Sequence, residues 1–235
     1  MARSNICFFI FFSYSNNESP NLEANNKPID RSVLEKTENW PETARQSFSA
    51  SIEAGIPYHI AIVGSQALGG EEGWAAMLRD ALEETYSKDL INVSIFEFGD
   101  KTSNQFLADG GDQLVADRSP DLVLFEPFTL NDNGRVAVSE SHENIATFIE
   151  KVDDAVVILQ PTHPIYKATL YPGEVNDLKI FATEQKLPYI DHWEIWPDYK
   201  TEEIIDYLVR PKQSAPNEKG HKLWFSYLEK YFIHD

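Results

Sequence analysis

The residues of this 235-residue chain that could do chemistry sit in a few short polar segments. Ser65 lies in Gly64-Ser65-Gln66-Ala67-Leu68-Gly69-Gly70, between an apolar run and a helical pattern. A serine presented there stands near backbone N–H groups at a helix start, which favour developing negative charge. Asn131 and Asp132 lie in Thr129-Leu130-Asn131-Asp132-Asn133-Gly134, where an Asn amide can donate to an oxyanion. Glu218 and His221 are spaced i, i+3 in Pro216-Asn217-Glu218-Lys219-Gly220-His221, the spacing of a base and its orienter on one helix face. His163 and His192 follow other apolar runs and are alternative bases. The aromatic run His192–Tyr199, with Trp193 and Trp196, offers rings for stacking on a sugar. Each segment also has a plainer account. A Gly-rich turn is structural more often than catalytic, Asn-Asp-Asn-Gly encodes an Asx turn unaided, a Glu/His pair is commonly a solvated helix start, and loop aromatics commonly pack onto their own domain.

Five apolar runs each end in one of these polar loops: residues 58–63, 92–98, 121–126, 155–160 and 188–190. Between them lie helical patterns at 42–54, 71–87, 104–117, 139–153, 172–186 and 216–232, with apolar residues at three- and four-residue spacing. Ser141 is the expected N-cap of the fourth. Strands alternating with amphipathic helices predict an α/β protein: a three-layer α/β/α sandwich around a parallel sheet of about five strands, in flavodoxin-like order. In such a sheet the crevice beyond the carboxyl ends of the strands is the ligand site. Ser65, Gly99, Asn131, Asp132, His163 and His192 all belong to that edge.

The formal charge is −18, from 20 basic and 38 acidic residues. That balance argues against nucleic acid or an anionic lipid surface as partner, and leaves a small-molecule or carbohydrate substrate open. Cys7 is the only cysteine, so neither an intrachain disulfide nor a multi-cysteine zinc site exists. Histidines and carboxylates do not cluster at metal-ligand spacing, and neither G-x-G-x-x-G nor a Walker loop is present, so no metal and no cofactor is expected. Residues 1–32 read as a degenerate export signal (Arg3, then Ile6–Phe12, then small residues) followed by a polar linker. The run is far too short to span a membrane. It points to an extracellular or cell-envelope location, the cytoplasm being the alternative. Residues 33–235 form the expected domain.

Gly64-Ser65-Gln66, Gly99, Thr129-Leu130-Asn131-Asp132 and Lys212-Gln213-Ser214-Ala215-Pro216-Asn217 together resemble the SGNH (GDSL-like) hydrolases, serine esterases on a flavodoxin-like sheet. The resemblance runs from about Tyr58 to Phe232. It implies an esterase or deacylase for an acylated, carbohydrate substrate. Ser65 would be the nucleophile, His221 the base and Glu218 its orienter, with an oxyanion hole of Ser65, Gly99 and Asn131. Asp132, His163, His192, Trp193 and Trp196 would then line the substrate. In strict register, however, Gln66 stands at the nucleophile position, and Lys212 and Ala215 at those of the catalytic Asp and His. Either a shifted Ser65/His221 pair works, or the triad is lost and the chain is a glycan-binding protein on the same fold.

Overall fold

The computed structural model describes residues 32–234. The predicted export segment and all but Ser32 of the linker lie outside the described residues. Two helices, α1 (Ser32–Glu35) and α2 (Glu42–Ala54), lead into β1 (Tyr58–Gly64). The chain continues through α3 (Trp74–Tyr86), β2 (Ile91–Glu97), α4 (Ser103–Ala108), α5 (Gly111–Ala116) and β3 (Leu122–Phe125). A single turn, α6 (Thr129–Asp132), precedes α7 (Val138–Lys151), β4 (Val156–Leu159), α8 (Tyr171–Glu184) and α9 (Glu218–Phe232).

The sheet order is β2-β1-β3-β4 with every pairing parallel. The fifth expected strand is reduced to one parallel bridge, Leu159 to Tyr189, beside β4. Pro188 has no N–H to extend the ladder, and the chain turns into a 3-10 helix at His192–Ile195. Counting that bridge, the order is the flavodoxin-like 2-1-3-4-5.

Alternation along the strands builds two apolar layers. Ile60, Ile62, Leu122, Leu124 and Ile158 face α2, α3 and α9, where Trp40, Phe48, Trp74, Trp224 and Phe232 are buried. Ala61, Val63, Val123, Phe125 and Val157 face the other side, against Phe106, Phe148 and Leu178. The structure is therefore the three-layer α/β/α sandwich.

Two helical details differ from the sequence reading. The pattern over 104–117 is two helices, because Gly110 adopts φ +73° between them. Ser141 is not an N-cap: Ala137 holds that place in α7, and the buried Ser141 hydroxyl donates to Asp132 at 2.7 Å.

Candidate functional site

The carboxyl edge of β1 is built around a buried carboxylate. Ser65 caps the 3-10 turn Gln66–Leu68, its Oγ accepting the Ala67 N–H at 3.2 Å. Its own N–H donates to Glu126 Oε2 at 2.7 Å, and the Thr162 hydroxyl donates to Glu126 Oε1. Glycine is required at position 64, because a Cβ there would lie 2.8 Å from Glu126 Oε2. Burial pushes the Glu126 carboxyl from 4.5 up to about 7, against the opposing pull of hydrogen bonds from Thr162 and from the Ser65 side chain and backbone.

Two of the three expected oxyanion donors, the Ser65 N–H and the Asn131 amide, are engaged within the protein. The Ser65 N–H is held by Glu126. Gln66 N–H, its neighbour in strict register, donates to Gly99 O at 2.8 Å. The Asn131 amide nitrogen donates to Gly99 O at 3.3 Å and to Lys101 O at 2.9 Å. Asn131 thus shares this edge with the β1 turn, but its amide fastens the β2 loop.

The histidines also differ from the reading that made them bases. His221 is buried in the first turn of α9, where its Nδ1 accepts the Trp74 N–H at 3.3 Å. Its ring lies over Gly69, whose φ of +87° and missing Cβ (which would fall 2.3 Å from His221 Cε1) make the contact feasible. Burial alone drives the His221 pKa down to about 4. Glu218 does not orient it: this exposed carboxylate pairs with Lys222 at 2.6 Å. His163 donates from Nε2 to Gln213 O at 3.0 Å. His192 donates from Nε2 to Pro161 O at 2.7 Å, accepts the Trp196 indole N–H at 2.9 Å, and stacks on Trp224 at 4.0 Å. None of the three histidines hydrogen-bonds Ser65, which is itself only 2% exposed.

The residues expected to line the substrate are mostly buried or hydrogen-bonded within the protein. His163, His192 and Trp196 are buried. Trp193 donates to Thr162 O at 2.7 Å and packs against Tyr171 and Tyr199. Asp132 is buried as well, accepting the Ser103 N–H at 2.8 Å and the Ser141 hydroxyl, so it ties α4 to α7.

An open feature at this edge is a cleft of about 360 Å³. Gln66, Asn131, Arg135, Lys212, Gln213 and Ser214 line it. Gln66 and Lys212 are the residues that strict register set at the nucleophile and catalytic-acid positions. Arg135 lies outside every segment the sequence singled out, and Ser214 stood in the last of them with no role assigned. Glu126 was legible only as a carboxylate closing the wholly apolar strand Leu122–Phe125.

No protein-family profile matches the sequence, and no curated protein matches it. Solved structures do. A psychrotrophic esterase from a Pseudoalteromonas species is 21% identical, with 74% of this chain and 95% of that one covered at a TM-score of 0.57. An acetylxylan esterase from Geobacillus stearothermophilus is 14% identical (76% and 96% covered, TM-score 0.58). A GDSL-like lipase from Bacteroides thetaiotaomicron is 17% identical (81% and 98% covered, TM-score 0.55). This chain has the fold of the SGNH/GDSL-like hydrolases. Among the described residues no helix is long and apolar enough to cross a membrane.

Proposed function

We propose that this protein binds an acylated carbohydrate in the cleft between Gln66, Asn131 and Lys212 and does not turn it over through a Ser-His pair. One observation carries the reading: Ser65 is buried with its N–H on Glu126, and His163, His192 and His221 hydrogen-bond other groups. Nucleophilic catalysis needs base and nucleophile at about 2.6–3.2 Å, and an oxyanion hole needs free donors. Here two of the three expected donors, the Ser65 N–H and the Asn131 amide, are spent on the protein's own carboxylate and carbonyls. What faces solvent instead is a wall of amide, hydroxyl and cationic groups suited to oxygen-rich ligands. The test pairs p-nitrophenyl acetate turnover with calorimetric binding of acetylated xylo-oligosaccharides, on wild type, Ser65→Ala, His221→Ala and Gln66→Ala. The expected result is no turnover above buffer in any of them, binding retained by Ser65→Ala, and binding weakened by Gln66→Ala. Turnover that Ser65→Ala abolishes would overturn the proposal.

A second reading, ester hydrolysis, has one observation of its own. The Ser65 side chain bears on the Glu126 carboxyl, whose pKa of about 7 suits a general base at neutral pH. Glu126 would then replace histidine as the base, and Ser65→Ala and Glu126→Gln would each abolish turnover. Esterases among the structures of this fold are consistent with that chemistry. An extracytoplasmic setting is part of the proposal, and a mature protein beginning near Asn16 outside the cytoplasm would support it.

A further inference from the structure

The cleft's charge runs against that of the chain. The protein carries 38 acidic against 20 basic residues. The cleft wall nevertheless holds two cations, Arg135 and Lys212, and a single carboxylate, Asp100. Neither cation is neutralised by an ion pair among the described residues. Arg135 donates from Nη1 to Asp100 O at 3.4 Å and Asn131 O at 3.3 Å, so backbone carbonyls rather than a carboxylate hold its guanidinium on the wall. Lys212 makes no ion pair and no hydrogen bond among the described residues, although it stands where strict register with SGNH hydrolases expects an acid.

The segment carrying Lys212 is fixed in place. Gln213 adopts φ +54°, outside the usual range for a residue with a side chain. Three hydrogen bonds hold it there: its N–H to Val209 O at 2.8 Å, its carbonyl from His163 Nε2–H at 3.0 Å, and its side-chain oxygen from Tyr166 N–H at 2.7 Å. His163 is thus a positioning residue, a buried neutral imidazole that anchors the loop beneath the cleft. A strained, triply tethered loop that ends on an unpaired lysine is an arrangement that a merely solvated lysine does not need.

Resting on the reading of this cleft as a ligand site, we infer that its ligand is anionic: a sugar-sized polyol bearing a carboxylate or a phosphate, with Lys212 and Arg135 on the charged group. The Gln66 and Ser214 side chains remain for its hydroxyls. Charge-assisted hydrogen bonds are roughly twice as strong as neutral ones, so the charged group sets the affinity.

The test is calorimetric titration of the full chain with glucuronic acid, glucose 6-phosphate, orthophosphate, glucose and an acetylated xylo-oligosaccharide. Wild type, Lys212→Gln, Lys212→Arg and Arg135→Gln are compared, each checked for native circular dichroism. At least one of glucuronic acid and glucose 6-phosphate should bind about tenfold or more tighter than glucose. That preference should fall to near parity in Lys212→Gln and largely return in Lys212→Arg. The arm that binds distinguishes carboxylate from phosphate. Orthophosphate as strong as the sugar phosphate would overturn the polyol part. Equal affinity for glucose and both charged sugars, or a preference that Lys212→Gln leaves intact, would overturn the inference. If the neutral xylo-oligosaccharide then still binds and Gln66→Ala weakens it, the cleft reading survives alone. Binding of none of the probes would overturn both.

Discussion

Replacing Glu126 by glutamine should change how stability depends on pH, by an amount that follows from the burial of this carboxyl. Its pKa rises from 4.5 to about 7 on folding because burial disfavours the charged form. A raised folded pKa means that the native state holds the proton more tightly than the unfolded chain does. Its contribution to stability is therefore full below pH 4.5 and is lost as pH rises to about 7. Each pKa unit is worth about 1.4 kcal/mol, so wild type should lose roughly 2.5 kcal/mol from this group between pH 5 and pH 8. The substituted amide cannot ionise, and it can still accept the Ser65 N–H while turning its nitrogen toward the Thr162 hydroxyl. Urea unfolding of both proteins at pH 5 and pH 8 isolates the effect, since every other titrating group is common to the two. The stability difference should move by roughly 2–3 kcal/mol in favour of Glu126→Gln at the higher pH. An offset that stays the same at both pH values would refute the reasoning, because Glu126 would then titrate as it does in the unfolded chain.

Two further outcomes follow from the same interior. His163, His192 and His221 are pushed by burial from 6.5 to about 4, 3 and 4, so the stability they allow is present above pH 6.5 and lost as pH falls below it. In the Glu126→Gln background, where the opposing Glu126 carboxyl no longer masks the effect, Tm should drop steeply between pH 7 and pH 4.5, and a flat profile by calorimetry would contradict the assignment. Trp224→Phe should destabilise by about 2–4 kcal/mol in urea. It removes the indole N–H donated to Gln160 Oε1 at 2.9 Å, leaves that buried amide with no partner because its Nε2 already lacks one, and disturbs the stacks on Trp74 and His192. A change under about 0.5 kcal/mol would show the contact to be energetically idle.

The sequence by itself determined the layers and the edge. Runs such as Ile60-Ala61-Ile62-Val63 are apolar on both faces, which only a sheet covered on both sides tolerates, and the helical patterns between them leave a parallel crossover as the connection. Backbone periodicity is local, so strand positions and their polar carboxyl ends were legible residue by residue. The fifth strand was not, because Pro188 and the turn at His192 cut it to one bridge. The site depended on where side chains meet across distant segments. Ser65 and Glu126 are 61 positions apart, and Trp74 and His221 are 147 apart. No spacing rule shows that the serine's N–H is taken by a carboxylate at the end of β3, or that His221 turns its Nδ1 to the start of α3. Glu218 and His221 have the spacing of partners, yet solvent and Lys222 claim the first while the core claims the second. Tertiary packing decided which polar groups were left over: Gln66, Arg135, Lys212 and Ser214 line the open cleft, while Ser65 and His221 are buried.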